Sequence, residues 1–314
     1  MKCAFILSPS YSGSTLLSIL LAHHPELATL GEYLDNRERR YRKGQGDFCS
    51  CGERLPSCSF MKQLTENVRG GGVDFSVDFP DTAFWTDRPA LDKVLRAYVR
   101  GPGFERLRGA AIAAVPPLRR AVDHVVRRNM AVISAILELE SATVYLDSAK
   151  NNNRVLYLDR YAPDMEVKVI WLIRDGRGVS NSIIGHKGVD LDTAARRWVT
   201  TQKSVMRTVD YLAPEQVFRM KYEDLCADPH QWLADVCRFL ELDPTHLPQS
   251  FSAEGLHITG NNMRLQGLDE IKRDTKWQAS FSEPELDLFD RIGGELNHDL
   301  GYGPADEPAR AIRA

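Results

Sequence analysis

The sequence has no long apolar run, no internal repeat and no large excess of charge of either sign. No segment approaches the roughly 20 apolar residues that a transmembrane helix requires. Five apolar residues follow Met1 and Lys2, which is too few for the apolar region of a signal peptide. We therefore expect a cytoplasmic protein without a membrane anchor. The formal net charge of −3 over 314 residues argues against a general nucleic-acid-binding protein.

A Walker A motif, Gly-x-x-x-x-Gly-Lys-[Ser/Thr], is also missing, which argues against a standard site for ATP or GTP with Mg²⁺. The sequence has instead a loop of small residues, Ser12-Gly13-Ser14-Thr15, between an apolar run and an amphipathic helix. Backbone N–H groups at the start of a helix lack intrahelical partners and attract anions. Gly13 permits close approach, and the three hydroxyl groups add donors. The loop predicts a phosphate or sulfonate site, with a simple polar turn as the alternative.

A second segment, residues 167–182, has a similar organisation. An apolar run ends at Arg174, and a predicted helix after it carries Ser182. Arginine suits bidentate binding of phosphate, and serine can add a hydrogen bond; solvated turn charges are the alternative. Ligands of open α/β sheets bind at the carboxyl ends of the strands, where both segments begin. The pair therefore predicts a ligand with two separate anionic ends.

With these two segments the chain resembles the sulfotransferases that use 3′-phosphoadenosine-5′-phosphosulfate (PAPS). That family binds the 5′-phosphosulfate with [Arg/Lys]-Ser-Gly-[Ser/Thr]-[Ser/Thr], similar to residues 12–15 here. Its 3′-phosphate site has Arg and then Ser eight residues later, as in Arg174 and Ser182. Four further segments resemble the family: residues 145–150, 222–225, 257–264 and 274–277.

The resemblance implies that PAPS is the co-substrate and that a sulfuryl group moves to a hydroxyl or amine by in-line displacement. The acceptor would be a small molecule, a carbohydrate, a natural product or a carrier-bound chain, and no metal would be needed. Tyr222 would approach the adenine. A late loop with Asn261, Arg264 and Lys276 would close over the nucleotide.

One position departs from the family pattern. Tyr11 stands directly before the Ser-Gly pair, where the family has a Lys or Arg that neutralises charge on the leaving phosphate oxygen. Loss of a donor aimed at developing charge typically costs about 3–4 kcal/mol. We therefore predict that Lys150 supplies the catalytic cation and that Lys276 binds a phosphate of PAPS.

Two residues are candidates for the general base that takes the acceptor's proton. Glu32 follows Gly31, and related sulfotransferases place a base just after such a Gly-Glu pair. His186, after the Ser182 helix, is the rival. An exposed loop carboxylate and a solvated histidine are the structural alternatives. A base contributes roughly 10²–10⁴-fold to the rate.

Two other functions stay open at this point. The first is a small-molecule phosphotransferase, against which the missing Walker lysine argues. The second is a nucleotide-binding protein of this fold whose donor chemistry is lost or altered, which Tyr11 keeps open.

Apolar runs alternate with amphipathic segments, which predicts an α/β fold. We expect a single domain, residues 1–314, with a parallel sheet wrapped by helices on both faces, a P-loop-like sulfotransferase fold with helical insertions. Residues 36–125 are predicted to form an insertion that binds the acceptor or acts as a lid. Residues 255–272 show little periodicity, so we expect them to order when nucleotide binds. The predicted strands are 3–8, 143–147, 167–173 and 217–221, and the predicted helices are 14–22, 119–140, 152–161, 177–184, 192–211, 230–241 and 284–297.

Three of the six cysteines, Cys49, Cys51 and Cys58, lie within ten residues. Three thiols at this spacing can bind zinc, but the local sequence offers no fourth ligand. A local disulfide is a second interpretation. Free thiols in a reducing cytosol are the interpretation that we favour, with no metal site.

Overall fold

A computed structural model describes residues 1–34, 48–86, 88–252, 255–265 and 271–303. Its centre is a parallel sheet of five strands in the order β2-β3-β1-β4-β5. The strands are β1 (Lys2–Leu7), β2 (Leu27–Thr29), β3 (Val144–Asp147), β4 (Glu166–Ile173) and β5 (Val217–Lys221). This confirms the α/β fold and the four predicted strands. β2 was not predicted, because three residues are too few to show a periodicity.

The strands are apolar on both sides because helices cover both faces of the sheet. In β1, the side chains of Cys3, Phe5 and Leu7 belong to one core cluster, and those of Ala4 and Ile6 belong to the other. This division follows from the two-residue period of a strand, which points successive side chains to opposite faces. β1 is therefore the middle of a three-layer structure, and its carboxyl end opens directly into the loop at residues 8–13.

All seven predicted helices are present in the described part of the chain, whereas the helices at 59–70, 89–95, 102–114, 222–227 and 277–280 were not predicted. Pro116 begins a helix after the break at Val115, as a proline in the first turn does. The last predicted helix contains a π-helical turn, Asp290–Gly294, packed against Trp198. The α-helices are α1 (Ser14–Leu21), α2 (Ser59–Gly70), α3 (Pro89–Leu95), α4 (Pro102–Ala114), α5 (Pro116–Glu140), α6 (Asn152–Tyr161), α7 (Gly176–Lys187), α8 (Leu191–Val209), α9 (Tyr222–Ala227), α10 (Pro229–Phe239), α11 (Trp277–Ser280), α12 (Glu283–Phe289) and α13 (Glu295–Asp299). None of the helices in the described ranges is long and apolar enough to cross a membrane.

The predicted insertion, residues 36–125, contributes α2, α3, α4 and the start of α5. Helices α2 and α4 both pack against α5, and their apolar side chains join the core cluster on that face of the sheet. Residues 36–47 and 87 of this prediction lie outside the described residues. A role in acceptor binding stays a prediction.

Candidate active-site cleft

The small-residue loop joins β1 to α1 with the geometry of an anion-binding turn. Gly13 adopts φ +94° as the residue before the helix, and the first intrahelical bond runs from the Leu17 N–H to the Gly13 carbonyl. The N–H groups of residues 14–16 are therefore without intrahelical partners. Within the described chain, no side chain caps this helix and its first turn has no acidic residue. The helix terminus is thus an uncompensated positive end that can receive an anion.

Gly13 also makes room for Tyr222, which is largely buried at the start of α9. A Cβ atom on residue 13 would lie 2.5 Å from Cδ2 of the tyrosine ring. Burial raises the pKa of the Tyr222 hydroxyl to about 12, so it stays protonated. It donates to the Lys272 carbonyl and accepts from the Asp274 N–H, both at 3.2 Å. Tyr222 therefore connects the anion loop to the segment at 272–274.

Arg174 follows β4 and points across the loop. Its Nη1 donates to the Tyr11 carbonyl at 2.7 Å, and its guanidinium carbon lies 4.5 Å from the centre of the Tyr222 ring. Its Nη2 forms an ion pair with Asp274 Oδ2 at 3.0 Å. The guanidinium, which the sequence assigns to a phosphate, is thus held by a carboxylate in this structure.

Burial opposes ionisation of the Asp274 carboxyl. The hydrogen bond from the Lys276 N–H and the interaction with Arg174 outweigh it, so the pKa of Asp274 lies below its usual value. Asp274 lines the cleft, but the sequence analysis did not name it as a site residue. It lies in a segment already assigned to the nucleotide loop, but no motif marks an acidic residue as a partner of Arg174.

Ser182 lies on α7, two turns after Arg174, and lines the same cleft. Its hydroxyl donates to the Gly178 carbonyl at 3.0 Å. To donate to a phosphate, this hydroxyl must rotate away from the carbonyl.

The candidate base and the candidate cation form an ion pair. Lys150 Nζ donates to Glu32 Oε1, and the side chains are 12% and 37% exposed. The Glu32 N–H donates to the Thr259 carbonyl at 3.2 Å. Gly31 is required beside it, because a Cβ atom there would lie 2.1 Å from that carbonyl oxygen. The structure therefore holds Glu32 at the junction of β2 and the late loop.

Lys150 is positioned by the turn after β3. Asp147 at the end of β3 is fully buried and pairs with Arg154 on α6. The second carboxylate oxygen of Asp147 accepts from the Ala149 N–H at 2.9 Å. Lys150 then has φ +62°, which directs the chain into α6 and the lysine side chain toward Glu32.

Tyr11 and His186 form a stacked pair, with ring centres 4.8 Å apart and planes within 2° of each other. Burial, and after it the Glu32 charge, raises the pKa of the Tyr11 hydroxyl, so Tyr11 is a neutral donor at neutral pH. His186 is in the last turn of α7 and is exposed. Both candidate bases thus line the same cleft as Tyr11.

These side chains surround a cleft of about 770 Å³, a size suited to a nucleotide-sized ligand. Six of its lining residues are Lys or Arg, namely Lys150, Arg174, Lys187, Lys272, Arg273 and Lys276, against the two carboxylates of Glu32 and Asp274. The cleft is therefore positive in a chain that is slightly negative overall. The predicted site residues that line it are Tyr11, Gly13, Ser14, Thr15, Glu32, Lys150, Arg174, Ser182, His186, Tyr222, Asn261 and Lys276.

Two predicted ligands, Ser12 and Arg264, do not line the cleft. Ser12 is the fully buried residue of the loop, and its hydroxyl has no partner among the described residues. Arg264 is also buried, and its guanidinium donates to the carbonyls of Gly260, Asn261 and Phe48. In this structure Arg264 stabilises the late loop and does not present a cation to a ligand.

The late loop was expected to order when a nucleotide binds. Residues 255–265 form hydrogen bonds to neighbouring elements, for example from the Thr259 N–H to the Leu30 carbonyl at 3.0 Å, and their ordering by a bound nucleotide stays a prediction. Residues 253, 254 and 266–270 lie outside the described part of the chain.

A second cavity of about 350 Å³ adjoins the cleft at Lys150. Its wall comes partly from the predicted insertion, through Phe84, Trp85 and Tyr98, and partly from the start of α6. Phe84 is buried, whereas Trp85 is 44% and Tyr98 66% exposed. Phe84 is therefore a core aromatic, while Trp85 and Tyr98 offer apolar surface to the cavity.

A family model described as the sulfotransferase family matches residues 4–246. The sulfotransferase domain from the curacin biosynthetic pathway is 19% identical, with 96% of this chain and 97% of that domain covered and a TM-score of 0.52. The sulfotransferase domain of the Synechococcus PCC 7002 olefin synthase is 19% identical, with coverage of 98% and 96% and a TM-score of 0.48. Retinol dehydratase in complex with retinol and PAP is 13% identical, with coverage of 99% and 83% and a TM-score of 0.39. No curated protein sequence matches.

Proposed function

Because the chain belongs to the sulfotransferase family, we propose that it transfers a sulfuryl group from PAPS to a hydroxyl or amine of an acceptor. The acceptor is a small molecule, a carbohydrate or a natural product, free or carrier-bound. The observation that carries the proposal is one positive cleft that combines two anion sites with a carboxylate–ammonium pair.

The residues of the cleft fit a ligand with two anionic ends. The uncapped start of α1 and the hydroxyls of Ser14 and Thr15 would receive the 5′-phosphosulfate. Arg174 would receive the 3′-phosphate, with Ser182 as a second donor and Lys276 as an additional cation. Arg174 reaches the Tyr11 carbonyl of the anion loop, so the two sites are close enough for a single nucleotide.

PAPS supplies the sulfuryl group and an anionic leaving phosphate when it is bound. Lys150 would neutralise charge that develops on the leaving side, a role that Tyr11 can assist only as a neutral hydrogen-bond donor. Glu32 would accept the acceptor's proton. Since Lys150 and Glu32 form an ion pair, protonation of Glu32 releases the lysine for the leaving group. His186 is the second candidate for the base, because it lines the same cleft.

The cavity beside Lys150 is the proposed acceptor site. It meets the nucleotide cleft at this lysine, where an acceptor oxygen or nitrogen would have to enter. Trp85 and Tyr98 provide apolar contact, and Asn151, Asn152 and Asn153 provide amide groups. Such a wall suits an acceptor with an apolar body and polar substituents.

The experiment that tests the nucleotide assignment is calorimetric titration with 3′-phosphoadenosine-5′-phosphate, the product nucleotide, beside ATP with Mg²⁺ as a control. We expect selective binding of the former that is lost in Arg174→Ala. Preference for ATP with Mg²⁺ would favour a phosphotransferase instead. Sulfuryl transfer from labelled PAPS is then assayed over a panel of hydroxyl and amine acceptors. Tight binding of the nucleotide without turnover would favour a binding protein with altered donor chemistry, which Tyr11 makes a specific alternative.

A further inference from the structure

The three clustered cysteines meet a histidine from the late loop. Cys49, Cys51, Cys58 and His257 place their ligand atoms within 4.8 Å of one another. Sγ of Cys51 and Sγ of Cys58 are 3.7 Å apart. His257 Nδ1 lies 3.5 Å from Sγ of Cys49 and 3.4 Å from Sγ of Cys58. The missing fourth ligand is thus supplied from 199 residues beyond Cys58.

Three of the six separations between ligand atoms equal the edges of a metal-sized tetrahedron, and the other three lie within 4.8 Å. Bonds of about 2.3 Å from zinc to sulfur and about 2.0–2.1 Å from zinc to nitrogen give sulfur–sulfur edges of about 3.8 Å. The same bonds give sulfur–nitrogen edges of about 3.6 Å. The three measured separations match these values. A disulfide needs an S–S distance of about 2.05 Å, so Cys51 and Cys58 are not bonded to each other in this arrangement.

Hydrogen bonds between residues next to the four ligands hold the ligands in place. The Ser50 N–H donates to the Ile258 carbonyl at 3.1 Å, and the Ile258 N–H donates to Ser50 Oγ at 2.7 Å. Ser50 Oγ also donates to the Leu256 carbonyl. These bonds join the residue between Cys49 and Cys51 to both neighbours of His257. They fix the imidazole beside the thiols.

Two backbone turns shape the cysteine loop. The Gly52 N–H donates to the Cys49 carbonyl at 3.0 Å, and Gly52 has φ +88°. Cys58 precedes α2, and its N–H donates to the Arg54 carbonyl at 2.9 Å. The His257 ring stacks on Phe60 at 5.0 Å. Three sulfur ligands and one imidazole, with two of the thiols buried, form the donor set of a closed structural zinc site.

We propose that Cys49, Cys51, Cys58 and His257 bind one structural Zn²⁺ ion, with the three cysteines as thiolates and the histidine neutral. The ion joins the start of the predicted insertion to the late loop. Two residues beyond His257, the Thr259 N–H donates to the Leu30 carbonyl, and the Thr259 carbonyl accepts from the Glu32 N–H. The next two residues, Gly260 and Asn261, line the cleft. Zinc at this position therefore fixes the loop that contacts the candidate base.

The test begins with metal analysis of the full-length protein purified without chelator. We expect about one zinc ion per chain, since a closed site of this type retains its metal through purification. Cys58→Ser and His257→Ala should lose most of the zinc. Cys226→Ser and His246→Ala, whose side chains lie outside the cluster, are the matched controls and should retain it.

A second measurement does not depend on the folding of the variants. The metal is removed from the wild-type chain under reducing conditions, and Co²⁺ is titrated in. We expect the visible bands of tetrahedral Co²⁺ and thiolate charge-transfer bands, both of which disappear when Zn²⁺ displaces Co²⁺. We also expect slower hydrogen exchange in residues 255–265 than in the metal-free protein. Absence of zinc with no tetrahedral cobalt spectrum would overturn the proposal. So would a Cys51–Cys58 disulfide in the purified protein, found by peptide mapping without reduction.

Discussion

The ion pair between Arg174 and Asp274 makes a specific prediction about nucleotide affinity. To contact Arg174, the proposed 3′-phosphate must displace the Asp274 carboxylate from the guanidinium, so Asp274 would compete with the ligand. Replacing the carboxylate with an amide, in Asp274→Asn, keeps the shape and the acceptor oxygen but removes the charge. We therefore expect this substitution to tighten binding of the product nucleotide, although it removes an interaction from the free protein.

The expected size follows from the exposure of the pair. The Arg174 side chain is 7% exposed and the Asp274 side chain 32% exposed. The pair is therefore intermediate between a buried ion pair and a surface ion pair. Charged hydrogen bonds contribute about 1.5–3 kcal/mol when buried, and exposed ion pairs about 0–1 kcal/mol. Asparagine still accepts a hydrogen bond from Arg174, so only part of this interaction is lost. We therefore expect the free energy of nucleotide binding to become more favourable by about 1–1.4 kcal/mol, which is a roughly 5- to 10-fold lower Kd.

Calorimetry on both proteins at constant ionic strength measures this difference. Asp192→Asn is the matched control, because Asp192 also pairs with an arginine, Arg196, but on the exposed face of α8. It should leave the Kd unchanged. The pKa of Asp274 is held below its usual value, so its carboxylate competes fully above the ordinary aspartate range. The ratio of the two Kd values should therefore be constant from about pH 6 to pH 8. An unchanged or higher Kd in Asp274→Asn would refute the competition.

Three further outcomes are expected. Glu32→Gln should lower kcat roughly 10²–10⁴-fold, and His186→Ala should have a small effect on kcat. If only His186→Ala lowers kcat strongly, the histidine is the general base. Lys150→Ala should lower kcat by about 10²–10³-fold with the nucleotide Kd retained, and near-normal turnover would exclude it as the catalytic cation. Gly13→Ala should weaken nucleotide binding at least about tenfold, because its Cβ would lie 2.5 Å from the tyrosine ring beside it. Gly188→Ala is its control in titration and thermal melts, since residue 188 also has positive φ but open space around it; equal effects would show that the ring contact is irrelevant.

The parts of the fold that could be predicted are those with a local signal. β1 and β4 are apolar runs, and the charged or small residues that follow them mark the carboxyl ends at which the cleft lies. Helices α2, α3 and α4 were not predicted, because they lie within residues 36–125, where the resemblance to the family is weakest. The burial of Arg264 was not visible either, because an arginine next to a glycine-containing loop has the same sequence signal whether it faces a ligand or three carbonyl groups.

The two contacts that the sequence could not predict both involve the late loop, through His257 and Asp274. Asp274 reaches Arg174 across 100 residues, and His257 reaches Cys49 across 208. Motif spacings in a sequence cannot reveal such pairs, because a motif describes residues within one turn or one strand–helix unit. The same segment also contacts Glu32 through Thr259 and Tyr222 through Lys272. Its placement therefore affects the base, the anion loop and the proposed phosphate site together. If zinc fixes residues 255–265, removal of zinc should alter the nucleotide affinity as well as the hydrogen exchange of these residues, although none of the four proposed zinc ligands lines the cleft.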